Sequence, residues 1–142
     1  MSEDCRFCAI VAGEQEAEIV FEDEQSLAFL DHRPLFPGHS LLVPRVHHET
    51  LWDLPDELVG PLFANASLLS VAVREAMGAQ GAFVAANNVV SQSVPHFHVH
   101  VVPRNRKDGL RGFFWPRRKY RDGEAREAAQ AVRAAVKRLD AA

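Results

Sequence analysis

The chain lacks several features that mark particular classes of protein. Among its 142 residues there is no run of 18 apolar residues, so we expect no membrane-spanning helix. The formal net charge is −3, whereas a domain that binds a nucleic-acid backbone is usually strongly basic. The glycine-rich sequences G-x-x-x-x-G-K-[ST] and G-x-G-x-x-G do not occur. We therefore expect no membrane or nucleic-acid partner, and neither a phosphate-loop nor a dinucleotide-binding fold.

Cysteine is also scarce, with only Cys5 and Cys8 in the chain. The N-terminal stretch MSEDCRFCAIVAGEQEAE is acidic and polar and has no signal-peptide core, so we predict a cytoplasmic protein. In a reducing compartment a C-x-x-C pair indicates a metal site or a redox pair rather than a structural disulfide. A thioredoxin-like role is disfavoured, because the pair precedes the first predicted strand instead of lying in a βαβ unit.

The pattern of apolar residues predicts a single α+β domain over residues 1–142. Short runs rich in β-branched and aromatic residues predict five strands, at 19–23, 26–31, 39–44, 82–87 and 96–102. Apolar spacings of three and four predict a long helix over about 53–77, whose regular part begins near Gly60 because Pro61 does not suit a helix interior. A second stripe predicts a C-terminal helix at 124–139. Two helices do not alternate with five strands often enough for a parallel sheet, so we expect an antiparallel one.

The segment HFHVHVV, residues 96–102, holds three of the seven histidines at alternate positions. Side chains on a strand point to alternate faces, so His96, His98 and His100 should share one face. Phe97, Val99 and Val101 should then pack on the core from the other face. Packing alone would account for one histidine, but three in register are improbable as packing.

Two chemical roles for these histidines remain. A three-histidine metal site is one, although residues two apart on a strand lie about 6.6 Å from each other and three in a row converge poorly on one ion. Nucleophilic catalysis is the other, because a neutral imidazole can attack phosphorus or a carbonyl carbon and form a covalent intermediate. A flanking histidine would then stabilise the charge that develops on the substrate.

The segment resembles the motif His-φ-His-φ-His-φ-φ of the histidine triad (HIT) nucleotide hydrolases and transferases. The resemblance covers residues 5–104. CRFCAIVAGE is similar to the family's N-terminal segment, VFEDEQSLAFLDHRPLFPGHSLLVPRVHHE to its hairpin, ribose-contacting and PGH region, and NNVVSQSVPHFHVHVVPR to its active-site segment. It implies a HIT-like fold with a five-stranded antiparallel sheet, one long helix and a C-terminal helix. It also implies a purine nucleotide substrate and a homodimer.

The resemblance assigns roles to several residues. His98 would be the nucleophile that attacks the α-phosphorus, His100 would contact the α-phosphate, and His39 would support their hydrogen bonding. Asp31 would bind the ribose hydroxyls, for which a carboxylate is a good acceptor. The base pocket would be lined by Phe7, Ile10 and Phe29, although plain core packing accounts equally well for each of these three.

The loop before the triad would complete the site. Gln92 and Ser93 would hold phosphate or leaving-group atoms, and Asn87 would orient the site, with Asn88 nearly as good a choice. The family usually has glycine at the position of Ser91 and a loop about two residues longer. This departure leaves the leaving group open between amine, nucleotide, sulfate and sugar phosphate.

The cysteine pair needs two further ligands to form a closed tetrahedral metal site. His47 and His96 are the candidates, with His48 as the alternative to His47. Many bacterial members of the family place a structural zinc on such a set, so the resemblance implies a structural zinc and no catalytic metal. Two buried, reduced cysteines remain the alternative.

The segment 104–123 is a basic, aromatic loop with eight Lys or Arg against two Asp. It could attract polyanionic substrates or be a solvated loop anchored by Phe113, Phe114 and Trp115, which could instead form a dimer contact. We expect a nucleotidyl hydrolase or transferase that acts through His98 on phosphoramidates or dinucleoside polyphosphates. A nucleotide-binding regulatory module with little turnover is the second hypothesis, and a zinc hydrolase that uses the triad as its metal site is the third.

Overall fold

The computed structural model of the chain describes residues 4–110 and 117–141. Contacts divide the chain into two compact units, residues 1–108 and 109–142. The elements follow in the order α1 (Arg6–Val11), β1 (Ile19–Glu22), β2 (Ser26–Leu30), β3 (Ser40–Pro44), a 3₁₀ turn (Leu51–Asp53), α2 (Asp56–Ala76), β4 (Gly81–Ala85), β5 (Val99–Arg104) and α3 (Glu124–Asp140). That the two units form one domain stays a prediction.

The five strands form one antiparallel sheet in the order β1-β2-β3-β5-β4. The β1–β2 hairpin turns at Asp23, whose carboxylate accepts hydrogen bonds from the backbone N–H groups of Gln25 and Ser26 at 2.9 and 2.8 Å. Such an Asx turn fixes the register of the two strands locally. The α+β fold with an antiparallel sheet, a long helix and a C-terminal helix is thus confirmed.

One face of the sheet packs against α2. Phe97, Val99 and Val101 are fully buried there, as the alternation of HFHVHVV predicts. They join the buried stripe of α2, which consists of Leu58, Leu62, Ala66, Leu69 and Val73. By length and composition α2 would also suit a membrane span, so the expected lack of a membrane partner stays a prediction.

The other face of β2 and β3 packs against α1. Its buried residues are Leu27, Phe29, Leu41 and Val43 from the strands and Phe7, Cys8 and Ile10 from α1. Because β2 and β3 are covered on both faces, their residues are almost all buried. This second core carries the candidate functional residues.

Three elements differ from the predictions by more than two residues. The prediction that α2 begins near Gly60 is wrong, since it begins at Asp56 and contains Pro61. Proline there removes only one backbone N–H, and the buried residues Leu58 and Leu62 hold the helix on either side of it. β5 begins at Val99 rather than His96, because the Phe97 N–H bonds to the His48 carbonyl at 2.6 Å outside the ladder.

The third difference is α1, which was not predicted because six residues are too few to show a helical period. Cys5 caps this helix, as its Sγ accepts a hydrogen bond from the Cys8 N–H at 3.4 Å. The helix therefore depends on the cysteine pair as well as on its apolar residues.

A close approach of the backbone sets the position of the loop before β3. Gly38 has a φ of +96°, and a Cβ at this position would lie 2.6 Å from Cγ of Met77 at the end of α2. Glycine tolerates both conditions, since it has no side chain and adopts positive φ readily. The next residue, His39, is thereby directed into the second core, where it is buried.

The second unit contains α3, which confirms the predicted C-terminal helix. None of its described residues is buried, and its apolar residues Val132, Val136 and Leu139 are exposed. The aromatic residues Phe113, Phe114 and Trp115, which the sequence proposes as loop anchors or a dimer contact, lie outside the described residues.

Candidate active site and metal centre

The three histidines of the triad divide between two sites. His98 and His100 line a cavity of about 920 Å³ on the α1 side of the sheet, with their ring centroids 5.0 Å apart. His96 is fully buried and directs its Nδ1 towards the two cysteines, at 3.4 Å from Sγ of Cys5 and 3.5 Å from Sγ of Cys8. The three rings share one face, and their order along the segment brings His96 to the cysteines and the other two rings to the cavity.

The tautomer of His98 is fixed by a main-chain group. Its Nδ1 lies 2.8 Å from the carbonyl oxygen of His96. A carbonyl can only accept, so Nδ1 carries the hydrogen and Nε2 keeps its lone pair. Burial lowers the pKa of His98 below its usual value, although the bond to His96 and the charge of Asp31 oppose this effect. A neutral ring with a free Nε2 in a cavity is suited to nucleophilic attack.

A chain of hydrogen bonds orients His100. The backbone N–H of Leu35 donates to Nδ1 of His39 at 3.0 Å, so the hydrogen of a neutral His39 is on Nε2. That Nε2–H donates to Nδ1 of His100 at 2.9 Å. His100 therefore carries its own hydrogen on Nε2, as a donor for a bound anion. Burial lowers the pKa of His39, and burial followed by the charges of His98 and His39 lowers that of His100 to about 4, so both rings are neutral near pH 7.

The cavity brings together most of the residues predicted to bind substrate. Its lining includes Phe7, Ile10, Phe29, Asp31, Ser93, His98 and His100. Phe7, Ile10 and Phe29 are buried at one wall, and Phe7 and Phe29 meet edge to face with centroids 5.2 Å apart. Asp31 receives the Arg33 N–H on one carboxylate oxygen at 2.9 Å, and the other oxygen lies 3.7 Å from Nε2 of His39. The cavity thus has an apolar wall, a carboxylate and two histidines.

Gln92, Asn87 and Asn88 do not line this cavity. Nε2 of Gln92 donates to the Glu49 carbonyl at 2.6 Å, and its Oε1 accepts from the Val89 N–H at 3.0 Å. Asn87 donates to the Ser91 carbonyl at 3.2 Å, and Asn88 accepts from the Leu51 N–H at 2.7 Å. These amides hold the loop in shape. The contact of Gln92 with phosphate or leaving-group atoms and the orienting role of Asn87 or Asn88 stay predictions.

The loop itself is strained. Val89 and Ser91 have φ values of 68° and 63°. The left-handed region is unfavourable for residues other than glycine and most of all for a β-branched one. Such strain persists only where neighbouring contacts hold it, and the side chain of Gln92 supplies one of them at Val89.

The four predicted metal ligands form a compact group. Sγ of Cys8 lies 3.4 Å from Nδ1 of His47, and the Nδ1 atoms of His47 and His96 are 3.2 Å apart. Ligand atoms on a tetrahedral zinc ion lie about 3.3 to 3.8 Å from one another, given bonds of about 2.0 to 2.3 Å. The residues therefore fit a zinc ion. The alternative ligand His48 is not in the group.

Burial and a further hydrogen bond affect the protonation of these candidate ligands. Nε2 of His96 donates to the Pro44 carbonyl at 2.8 Å, which leaves Nδ1 free to coordinate. Burial lowers the pKa of His96 to about 4, so the ring is neutral, as a metal ligand must be. Burial raises the pKa of the Cys5 thiol, and a bound cation would favour the thiolate instead.

A second group, Asp31, His39 and His100, is also close enough to share an ion. The imidazole nitrogens of this group already hydrogen-bond to one another and to the backbone. His39 accepts at Nδ1 from Leu35, so coordination through Nε2 would require an imidazolate ring. The arrangement is satisfied as a hydrogen-bond chain and fits a metal poorly.

The HIT domain family model matches residues 12–107. The chain belongs to the HIT family. It is 35% identical to a protein described as adenylylsulfatase HINT3 from Arabidopsis thaliana, over 78% of this chain and 57% of that one. It is also 35% identical to adenosine 5'-monophosphoramidase HNT1 of Saccharomyces cerevisiae, over 75% of this chain and 66% of that one. The chain thus spans less than two thirds of the length of either relative.

A solved structure of a HIT protein resembles the chain over nearly its whole length. It is described as a zinc-bound histidine triad family protein from Mycobacterium smegmatis. The two share 38% identity with a TM-score of 0.72, over 97% of this chain and 96% of that one.

The sequence did not reveal several groups that shape this HIT site. The carbonyls of His96 and Pro44 and the N–H of Leu35 set the tautomers, and main-chain groups leave no signature in a sequence. Arg6 and His32 also line the cavity. The one available signal for Arg6 was a charged residue between two cysteines in an otherwise apolar segment.

Proposed function

We propose that this HIT protein is a nucleotidyl hydrolase or transferase that forms a covalent bond between His98 and the α-phosphorus of a purine nucleotide derivative. The observation that supports this most is the hydrogen bond from Nδ1 of His98 to the His96 carbonyl, because it leaves Nε2 as the free nitrogen. Both relatives named above are described as acting on adenylyl compounds, which suggests the substrate class.

In the proposed first step, Nε2 of His98 attacks the α-phosphorus. A nitrogen–phosphorus bond forms, and the bond from phosphorus to the leaving group breaks with its electron pair on the leaving group. An amine leaving group takes up a proton from solvent and departs neutral. Nε2–H of His100 donates to an oxygen of the phosphate and stabilises the charge that develops there. Water then attacks the same phosphorus, releases the nucleoside monophosphate and restores neutral His98.

The rest of the cavity would hold the nucleoside. Asp31 can accept from two ribose hydroxyls, and the buried wall of Phe7, Ile10 and Phe29 offers an apolar surface to a purine. Ser93, which lines the same cavity, would donate to a phosphate or leaving-group oxygen. Gln92 and Asn87 would act through the loop that carries Ser93.

We also propose that Cys5, Cys8, His47 and His96 hold a structural zinc. Zinc would tie α1 to the segments before α2 and β5, and it has no part in the steps above. A cytoplasmic homodimer is our further expectation, from the acidic, polar N-terminal stretch and the family resemblance respectively.

The test is to incubate the protein with adenosine 5'-phosphoramidate, diadenosine tetraphosphate and adenosine 5'-phosphosulfate, and to trap the intermediate for mass spectrometry. We expect AMP release and a nucleotidyl group on the peptide that contains His98, both lost in His98→Ala and retained in His48→Gln. Equal AMP release by wild type and His98→Ala would refute the proposal. Tight AMP binding with no turnover on any substrate would favour the regulatory module instead.

A further inference from the structure

Arg6 stands where two cavities meet. It lines the active-site cavity together with Ser93 and His98. It also lines a second cavity of about 410 Å³, to which Asp4, Glu49 and His47 contribute. Arg6, Ser93 and Val94 are common to both linings, so they mark the junction. The nucleoside residues Asp31, Ile10 and Phe29 line only the first cavity.

Within the part of the chain that the structure describes, the charge of Arg6 has no carboxylate partner. Among residues 4–110 and 117–141, no carboxylate oxygen lies within 4.0 Å of its guanidinium. Its hydrogen-bond contact is with Nδ1 of His32, at 3.4 Å and exposed to solvent. That bond is long, and a guanidinium binds phosphate or sulfate much better through two parallel hydrogen bonds. An anion at the junction could therefore replace His32 as its partner.

The position of the junction indicates which part of a substrate would reach Arg6. If the nucleoside occupies the wall with Ile10 and Phe29 and the α-phosphate lies at His98 and His100, one open direction from the phosphate runs past Ser93 into the junction. A leaving group in that direction would lie beside Arg6.

We propose that Arg6 determines leaving-group specificity, by favouring nucleotide derivatives whose leaving group is an anion, phosphate or sulfate, over those that release a neutral amine. This rests on the proposed function. Asp4 and Glu49 line the second cavity and would repel such an anion. Arg6 offsets that repulsion, so its loss should selectively weaken the use of substrates with an anionic leaving group and not weaken binding in general.

The experiment compares wild type, Arg6→Gln and Arg6→Lys on the three substrates named above. We expect Arg6→Gln to lower kcat/KM for the phosphosulfate and the tetraphosphate about 10-fold and to change that for the phosphoramidate less than about 2-fold. Arg6→Lys should be intermediate, since lysine keeps the charge without the planar fork. Arg74→Gln, on the opposite face of the sheet, removes the same charge and should shift no substrate ratio.

An equal loss on all three substrates would show that Arg6 contacts a part that they share, the nucleoside or the α-phosphate, and would overturn the proposal. A binding measurement, which needs no turnover, tests the role of Arg6 separately from the proposed enzymatic function. In a His98→Ala background, calorimetry should show that Arg6→Gln weakens binding of the phosphosulfate but not of the phosphoramidate. If it weakens neither, the assignment of Arg6 is wrong whether or not the wild type is an enzyme.

Discussion

The ring of Phe7 meets the ring of His98 edge to face, with centroids 5.0 Å apart and planes inclined by 86°. Phe7 also contacts His96 in the same manner, at 5.9 Å. It lies between the two cysteines in the sequence. One side chain of α1 therefore links the metal ligands to the proposed nucleophile.

Replacing Phe7 by leucine should remove this support while keeping the position apolar. An aromatic pair is worth about 0.5 to 1.5 kcal/mol, so we expect kcat to fall by about 2- to 10-fold as the His98 ring gains freedom. Ile10→Val, in the same helix and cavity, should change KM and leave kcat close to that of the wild type. Steady-state kinetics of both variants would settle the point, and equal kcat losses would contradict it.

Metal analysis tests the zinc site directly. Purified wild-type protein should contain about one zinc per chain, and Cys8→Ser and His47→Ala should lose it. Both substitutions should lower the free energy of unfolding by at least about 3 kcal/mol, because the ligands hold α1 in place. His48→Gln is the matched control and should keep its zinc. Equimolar zinc in Cys8→Ser would rule out the proposed ligand set.

The hydrogen-bond chain to His100 predicts a defined tautomer. In the wild type, nitrogen-15 NMR should show the hydrogen of neutral His100 on Nε2. His39→Leu removes the donor, so we expect a mixture of tautomers and a fall in kcat on the order of 10-fold. In His39→Gln the side-chain amide can still donate, so this variant should retain more of the single His100 tautomer and more of the wild-type kcat. An unchanged His100 spectrum in His39→Leu would exclude the chain as the cause.

The lowered pKa of His100 predicts a dependence of stability on pH. Its pKa is about 4 in the folded protein against 6.5 ordinarily, so the unfolded chain binds more protons between these values. His100 therefore contributes stability above pH 6.5, and this contribution is lost as the pH falls towards 4. Urea unfolding of His100→Asn should show a shallower decline than the wild type over that range. Parallel curves would mean that burial does not hold His100 neutral.

The strained loop predicts an unusual effect of glycine. Val89→Gly should raise the free energy of unfolding by about 1 kcal/mol, because glycine adopts the observed φ without steric penalty. Val90→Gly is the matched control, because Val90 is also exposed but has no positive φ. Glycine at this position should slightly lower the free energy of unfolding. Chemical denaturation of the two variants should therefore give shifts of opposite sign.

The sequence predicts the parts of the fold in which many residues repeat one pattern. The stripe of α2 and the alternation of Phe97, Val99 and Val101 are long enough to identify an element and its buried face. The six residues of α1 are too short for a period, and they are helical because the Cys5 cap and the second core hold them. The sequence does not predict that β5 begins only at Val99, because an extended backbone can pair with a loop as well as with a strand.

In the site, residue type predicts which residues come together better than it predicts which partners their side chains take. The four candidate metal ligands and the cavity residues Asp31, His98 and His100 come together as the motifs suggest. Gln92 carries the same groups that could contact a phosphate, yet its amide is taken up by the backbone at Val89 and Glu49. Which of two compatible partners a side chain takes depends on tertiary distances that no local pattern contains.

The carbonyl of His96 and the N–H of Leu35 determine which nitrogen of each neighbouring imidazole carries its hydrogen. Neither group belongs to a side chain, so a complete alanine scan of this chain would miss both. Substitutions that accumulate at these positions would leave the groups in place as long as the backbone keeps its path. Proline at Leu35 would remove that N–H, but no substitution of the side chain at position 96 removes the carbonyl, so the tautomer of the proposed nucleophile resists mutation.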